Sequence, residues 1–138
     1  MPPVSAVPQQ DSLKERDVFI LSDLHIGGRY PVQGNPKDAG FRMMKHVGEL
    51  ARLIRGWAER DAAQDFCEVV INGDFVDFLA EEDKDAADPL CPWEVFRGEP
   101  GQAAAVLTQI MRRDALVFDA LALLVGRGHR LTILLGNH

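Results

Sequence analysis

Apolar residues follow two rhythms along this chain. Three short runs are nearly continuous: Val18-Phe19-Ile20-Leu21, Val69-Val70-Ile71 and Leu131-Thr132-Ile133-Leu134-Leu135. Runs of this length, bounded by turn formers, predict strands buried on both faces, as in a parallel sheet. The predicted spans are about Asp17 to Ser22, Cys67 to Asn72 and Arg130 to Leu135. Between them the rhythm changes to threes and fours. Phe41, Met44, Val47, Ala51, Ile54 and Ala58 recur at that spacing while Lys45, Glu49, Arg52, Arg55 and Glu59 fall elsewhere. This predicts an amphipathic helix from Phe41 to Arg60 whose apolar stripe faces the sheet. A second helix is predicted from Gln102 to Val125, with Val106, Ile110, Val117, Phe118, Leu121, Leu124 and Val125 on its buried side and Gly126 and Gly128 ending it. The order is βαβαβ, an α/β fold. Right-handed crossovers make the three strands parallel and bring their carboxyl ends to one edge of the sheet.

Each strand runs into residues that carry chemistry. The first ends in Asp23-Leu24-His25, the second in Gly73-Asp74-Phe75-Val76-Asp77, the third in Gly136-Asn137-His138. If the chain stays extended past Ser22, Asp23 and His25 leave the same face. They then meet at the carboxyl end of a buried strand, where open α/β sheets place their ligand crevice. A glycine before Asp74 suits a backbone that must turn sharply close to an ion.

These three blocks, in this order, resemble the first three motifs of the calcineurin-like metallophosphoesterase superfamily. The match spans Val18 to His138 and no block is altered within the residues present. The resemblance implies a four-layer α/β/β/α sandwich, of which this βαβαβ run is the N-terminal parallel-sheet half, apparently truncated. It implies metal-dependent hydrolysis of a phosphate ester, with two divalent cations about 3.5 to 4 Å apart activating water and clamping the phosphoryl group. Asp23 and His25 would bind the first metal, Asp74 would bridge both, and Asn137 would bind the second through its amide oxygen. His138 would be the catalytic residue, touching the phosphate and protonating the leaving group. Asp77 would stand behind a ligand or water and orient it. A mixed nitrogen and oxygen donor set suits Mn²⁺ first, then Fe or Zn²⁺. In the family, three further histidines, some in a Gly-His-x-His block, complete the two spheres downstream of Gly-Asn-His. The expectation is therefore that this stretch alone binds metal weakly and turns over little substrate. A different reading of the same residues is a non-catalytic binding or scaffold protein, or an inactive fragment that keeps the fold.

The remaining composition narrows the setting. A chain of 138 residues is one domain's worth, and 46% hydrophobic with 26% charged residues describes a soluble globular protein. The expected division is a disordered arm at 1–16 and a metallophosphoesterase-like part at 17–138. A net charge of -6 and a pI near 5.1 argue against a nucleic-acid partner and leave a phosphate-ester substrate of open class. Cys67 and Cys91 lack zinc-ligand spacing, and free thiols point to a reducing, cytoplasmic setting. No apolar run approaches a membrane span, and Met1 to Gln10 lacks the pattern of a signal peptide. Met43 and Met44 read as core filling, and His46 and His129 as structural or surface residues. Gly126-Arg127-Gly128 ends a helix, the reverse of a dinucleotide fingerprint, and no P-loop sequence occurs. The connection 27–40 follows the first motif directly, where substrate contacts commonly sit. The segment 78–101, with Glu81-Glu82-Asp83-Lys84-Asp85, reads as a solvated acidic loop anchored by Trp93 before a lid offering Trp93 or Phe96 to a substrate.

Overall fold

All three apolar runs become strands. In the computed structural model, which describes residues 16–28, 41–81 and 100–136, β1 (Asp17–Ser22), β2 (Cys67–Asn72) and β3 (Arg130–Leu134) form one parallel sheet in the order β1-β2-β3. Phe19 pairs with Val69 and Val69 with Leu131, Leu21 with Ile71 and Ile71 with Ile133, so these apolar residues share one face of the sheet. Because strand order equals chain order, both crossovers step the same way, and right-handed connections place their helices on the same side. Helices α1 (Val47–Ala58) and α3 (Ala115–Gly126) accordingly pack against each other, and α2 (Pro100–Arg113) leans on α3. Cys67, Val69 and Ile71 are fully buried with Ile54, Ala58, Val117, Ala120 and Leu124. Each large aliphatic side chain buried this way stabilises the fold by about 1.5 to 3 kcal/mol.

The opposite face of the sheet departs from expectation. Val18 is 52% and Ile20 67% exposed while Phe19 and Leu21 are half-buried, so the described residues cover β1 on one face and not on two. An apolar run shows that a strand is hydrophobic, but which layers cover it is decided by where the crossovers go.

Both helices differ in extent from the periodicity. The first starts at Val47 instead of Phe41, and Phe41 is 58% exposed. The cause lies at Arg42, whose Nε donates to the Met44 carbonyl at 2.8 Å. That carbonyl is thereby bonded to a side chain where a helix would offer it a backbone N–H four residues on. The second helix is two. Its ladder is interrupted at Asp114, a buried residue whose carboxylate pairs with the Arg42 guanidinium. Val125, expected on the buried side, is exposed, because α3 turns Val117, Ala120, Leu121 and Leu124 inward.

At the amino end of the sheet, Arg60 ties the elements together. It donates to Asp17 at 2.5 Å and to Asp65 at 2.7 Å. Its guanidinium lies 5.4 Å from the Phe19 ring centroid, and Phe19 stacks on Trp57. The Arg60 hydrogen bonds hold the Asp65 carboxyl below the usual carboxylate range. His129 is buried and bonded on both ring nitrogens: Nδ1 accepts the Cys67 N–H at 3.3 Å and Nε2 faces the Arg60 carbonyl at 3.1 Å. These contacts fit the structural role expected of it. His46 sits exposed beside Glu49 at the start of α1. Cys67 is fully buried in the core, and that burial pushes its thiol pKa up. Among the described residues, no helix is long and apolar enough to cross a membrane. The arm at 1–15, the loop at 29–40, and Cys91, Trp93 and Phe96 lie outside the described residues.

Candidate metal centre

Beyond Ser22 and Asn72 the first two strands stop being strands, yet their chains stay stitched together. The His25 N–H donates to the Asp74 carbonyl at 2.8 Å, Ile26 N–H to Phe75 at 2.9 Å, and Asp77 N–H to Ile26 at 2.9 Å, with a parallel bridge between Ile26 and Val76. Gly73 N–H donates to the Leu134 carbonyl at 3.2 Å and ties the same turn to β3. Ile26 is fully buried, so an apolar plug sits directly beneath the polar residues that flank it.

Those polar residues hold an uncommon backbone. Asp23, His25 and Asp74 have φ of +53°, +44° and +41°, and they are the positive-φ non-glycine residues among those described. The left-handed region costs roughly 1 to 3 kcal/mol at such a residue and persists where surroundings enforce it, often at functional sites. The expectation that Asp23 and His25 converge because the chain stays extended is therefore corrected. They converge because each turns through left-handed space, and Gly73, at φ +75°, makes the corresponding turn before Asp74. The result is a cluster in which one ligand atom from each of Asp23, His25 and Asp74 lies within 4.8 Å of the others. Donors at that spacing need small side-chain rotations to reach ~2.1 Å from a single divalent ion. Two carboxylates and an imidazole suit Mn²⁺, Fe or Zn²⁺.

Asp77 stands behind His25. Its Oδ2 is 3.2 Å from His25 Nδ1, both side chains being buried. A carboxylate only accepts, so this bond requires the proton on Nδ1, and in the neutral ring the lone pair is then on Nε2. Its Oδ1 accepts the Ala80 N–H at 3.0 Å and caps the 3-10 turn Leu79–Glu81. Asp77→Asn keeps an oxygen for that cap and loses the carboxylate partner of the imidazole. Its expected effect is a roughly tenfold to hundredfold rise in the Kd for Mn²⁺ with an unchanged circular dichroism spectrum. Unchanged affinity would reduce Asp77 to a turn cap.

The third motif reaches the cluster through its glycine. A Cβ built on Gly136 would run into the Asp74 carboxylate and its backbone N–H, so a side chain there competes with Asp74 for space. Gly136→Ala should weaken Mn²⁺ binding by displacing that carboxylate. Gly56→Ala in α1, where a Cβ meets nothing within 4 Å, is the control that leaves binding intact. Equal binding by both variants would show that Gly136 does not set the Asp74 position. Asn137 and His138 lie outside the described residues.

A second polar group adjoins the first and was not anticipated from sequence. The Arg42 guanidinium is buried against Asp114, with Nη1 to Oδ2 at 3.2 Å and a shorter Nη2 to Oδ1 contact, and it also donates to the Gly28 carbonyl at 3.2 Å. Arg113 grips Glu81 through Nη1 at 2.6 Å and Nη2 at 2.8 Å and donates to the same Gly28 carbonyl. Glu81, expected in a solvated acidic loop, has a side chain only 6% exposed. An arginine on a predicted helix reads as surface charge, and no local signal marks which one is drawn inward. Comparison of the chain with protein-family models, with curated proteins and with solved structures returns no match.

Proposed function

We propose that this chain carries the metal-binding core of a phosphoesterase of the calcineurin-like type, and that its parallel sheet is one half of a four-layer α/β/β/α sandwich. The observation that carries the reading is the convergence of Asp23, His25 and Asp74, each in left-handed backbone, into one donor cluster at the carboxyl edge of the sheet. A protein using this fold as a scaffold alone gains nothing from maintaining that backbone cost.

In this reading Asp23 and His25 would hold one cation, Asp74 would serve that cation and a second, and Asn137 would offer its amide oxygen to the second. Asp77 fixes the His25 ring so that its Nε2 lone pair is presented to the cation. Divalent cations held there would supply charge neutralisation and an acidified water for hydrolysis of a phosphate ester. His138 would donate a proton to the departing oxygen of the ester. Ile26 and Leu24, both buried, keep the floor of the site apolar and strengthen its electrostatics.

The test is Mn²⁺ titration of the chain by calorimetry, with hydrolysis of bis(p-nitrophenyl) phosphate followed in the same samples. The reading expects weak but saturable Mn²⁺ binding and at most slow release of nitrophenol, which stops when the metal is chelated. A chain that takes up no Mn²⁺ refutes it.

A further inference from the structure

The 3-10 turn Leu79–Glu81 contributes no donor to the cluster, yet it is locked to the site at both ends. At its start, Asp77 shares one carboxylate between the Ala80 N–H and the His25 ring. At its end, Glu81 Oε1 accepts the Gly28 N–H at 2.6 Å while Arg113 grips both oxygens. Gly28 lies three residues after His25. The path from His25 along the chain to Gly28, across to Glu81, back through the turn to Ala80 and Asp77, and across to His25 is therefore a closed ring of covalent and hydrogen bonds. Gly27 sits inside it without slack: a Cβ there would meet the Asp77 carbonyl at 2.8 Å and Glu81 Oε1 at 3.4 Å.

We infer that Glu81 and Arg113 are positioning residues, whose ion pair locks the 3-10 turn to the Asp-x-His loop and so fixes the His25 ring in its Nδ1-bonded orientation. The inference rests on the metal site proposed above, but the orientation of the ring is a property of the metal-free chain. Arg113 is the last residue of α2, so the ring is anchored to a helix end and not to another loop. Burial of the Glu81 carboxylate makes the pair directional, because a desolvated carboxylate tolerates little departure from its donors.

The experiment compares the intact chain with Glu81→Gln and Arg113→Met. Glu81→Gln is isosteric, keeps an oxygen for the Gly28 N–H and loses only the charge, while Arg113→Met keeps an unbranched side chain at the half-exposed end of α2 and removes its donors. Two quantities are read: the ¹⁵N ring spectrum of His25 without metal, which distinguishes the Nδ1–H from the Nε2–H tautomer, and the Kd for Mn²⁺. Both variants are expected to shift His25 from a single Nδ1–H tautomer towards a mixture and to raise the Kd about tenfold. Arg113→Lys, which restores one charged donor, should recover part of both changes. Ile54→Val, a core change on α1 away from the ring, should move neither, which separates positioning from loss of stability. An unchanged His25 ring spectrum in both variants overturns the inference whatever the metal does. If the tautomer shifts while the intact chain binds no Mn²⁺, the positioning role stands and the metal reading falls.

Discussion

Asp74→Asn is expected to abolish the weak Mn²⁺ binding proposed for this chain, raising the Kd by at least about a hundredfold, and to remove what little metal-dependent hydrolysis of bis(p-nitrophenyl) phosphate it supports. Asparagine fills the same volume but carries no charge, and a neutral amide would not offset the cations proposed for this site. If the cations contribute ~4 kcal/mol of transition-state stabilisation, their loss is about a thousandfold in rate. Folding should survive, because the bond that ties this turn to β1 runs from the His25 N–H to the Asp74 carbonyl and not to its side chain. Retention of full Mn²⁺ affinity by a folded Asp74→Asn chain would contradict the placement of this carboxylate at the centre of the site. Asp23→Asn is a weaker variant in the same assay, since Asp23 is exposed and would serve one cation only.

The second large effect concerns stability. Arg42→Met is expected to destabilise the fold by roughly 3 to 5 kcal/mol, because it leaves the buried Asp114 carboxylate without its cation. It also strips a donor from the Gly28 and Met44 carbonyls. A loss of this size is a large fraction of the ~5 to 15 kcal/mol that holds a typical domain together. Converting Asp114 as well, in Arg42→Met with Asp114→Leu, should recover much of the loss, since an apolar pair of similar volume often replaces a buried ion pair at little cost. Urea denaturation of the two variants reads the difference. A single variant that loses less than about 1 kcal/mol would mean the pair behaves like a solvent-screened surface bridge.

These two outcomes test different layers. Asp74 belongs to the proposed metal site; Arg42 and Asp114 hold the junction where the Asp-x-His loop, the approach to α1 and the break between α2 and α3 meet. The Glu81–Arg113 pair joins the layers, since it shares the Gly28 carbonyl with Arg42 and the 3-10 turn with Asp77. Loss of Arg42 should therefore disturb the metal site indirectly, through stability. Glu81→Gln should disturb it without comparable destabilisation.

Asp23, His25 and Asp74 stand out because they follow apolar runs that end abruptly, but their roles, and that of Asp77, come from the resemblance of the three blocks to metallophosphoesterase motifs. The spans of β1 and β2 were legible residue for residue, and β3 to within its last residue. The helix limits were less so. Phe41 and Met44 fit the periodicity of α1, but Arg42 between them is committed to Asp114 and to the Met44 carbonyl, and a side chain bonded there replaces the first turn. Asp114 sits in a stretch that reads as one continuous helix, and nothing beside it in the chain shows that its carboxylate is buried. Glu81 begins an acidic cluster that reads as solvated charge, yet its own side chain is buried against Arg113.

By itself, then, the order of residues determined the βαβαβ arrangement, the parallel strands and the placing of an acid or imidazole after each strand, because hydrophobic rhythm and turn chemistry act between near neighbours. The tertiary structure alone decided three things: the left-handed turns that gather Asp23, His25 and Asp74, the single covered face of the sheet, and the choice of which charges are buried. The reason is separation along the chain. His25 meets Asp77 across 52 residues, Arg42 meets Asp114 across 72 and Glu81 meets Arg113 across 32. Periodicity carries no record of partners so far apart, and only the closed fold removes the water that would otherwise make those charges interchangeable with any others on the surface.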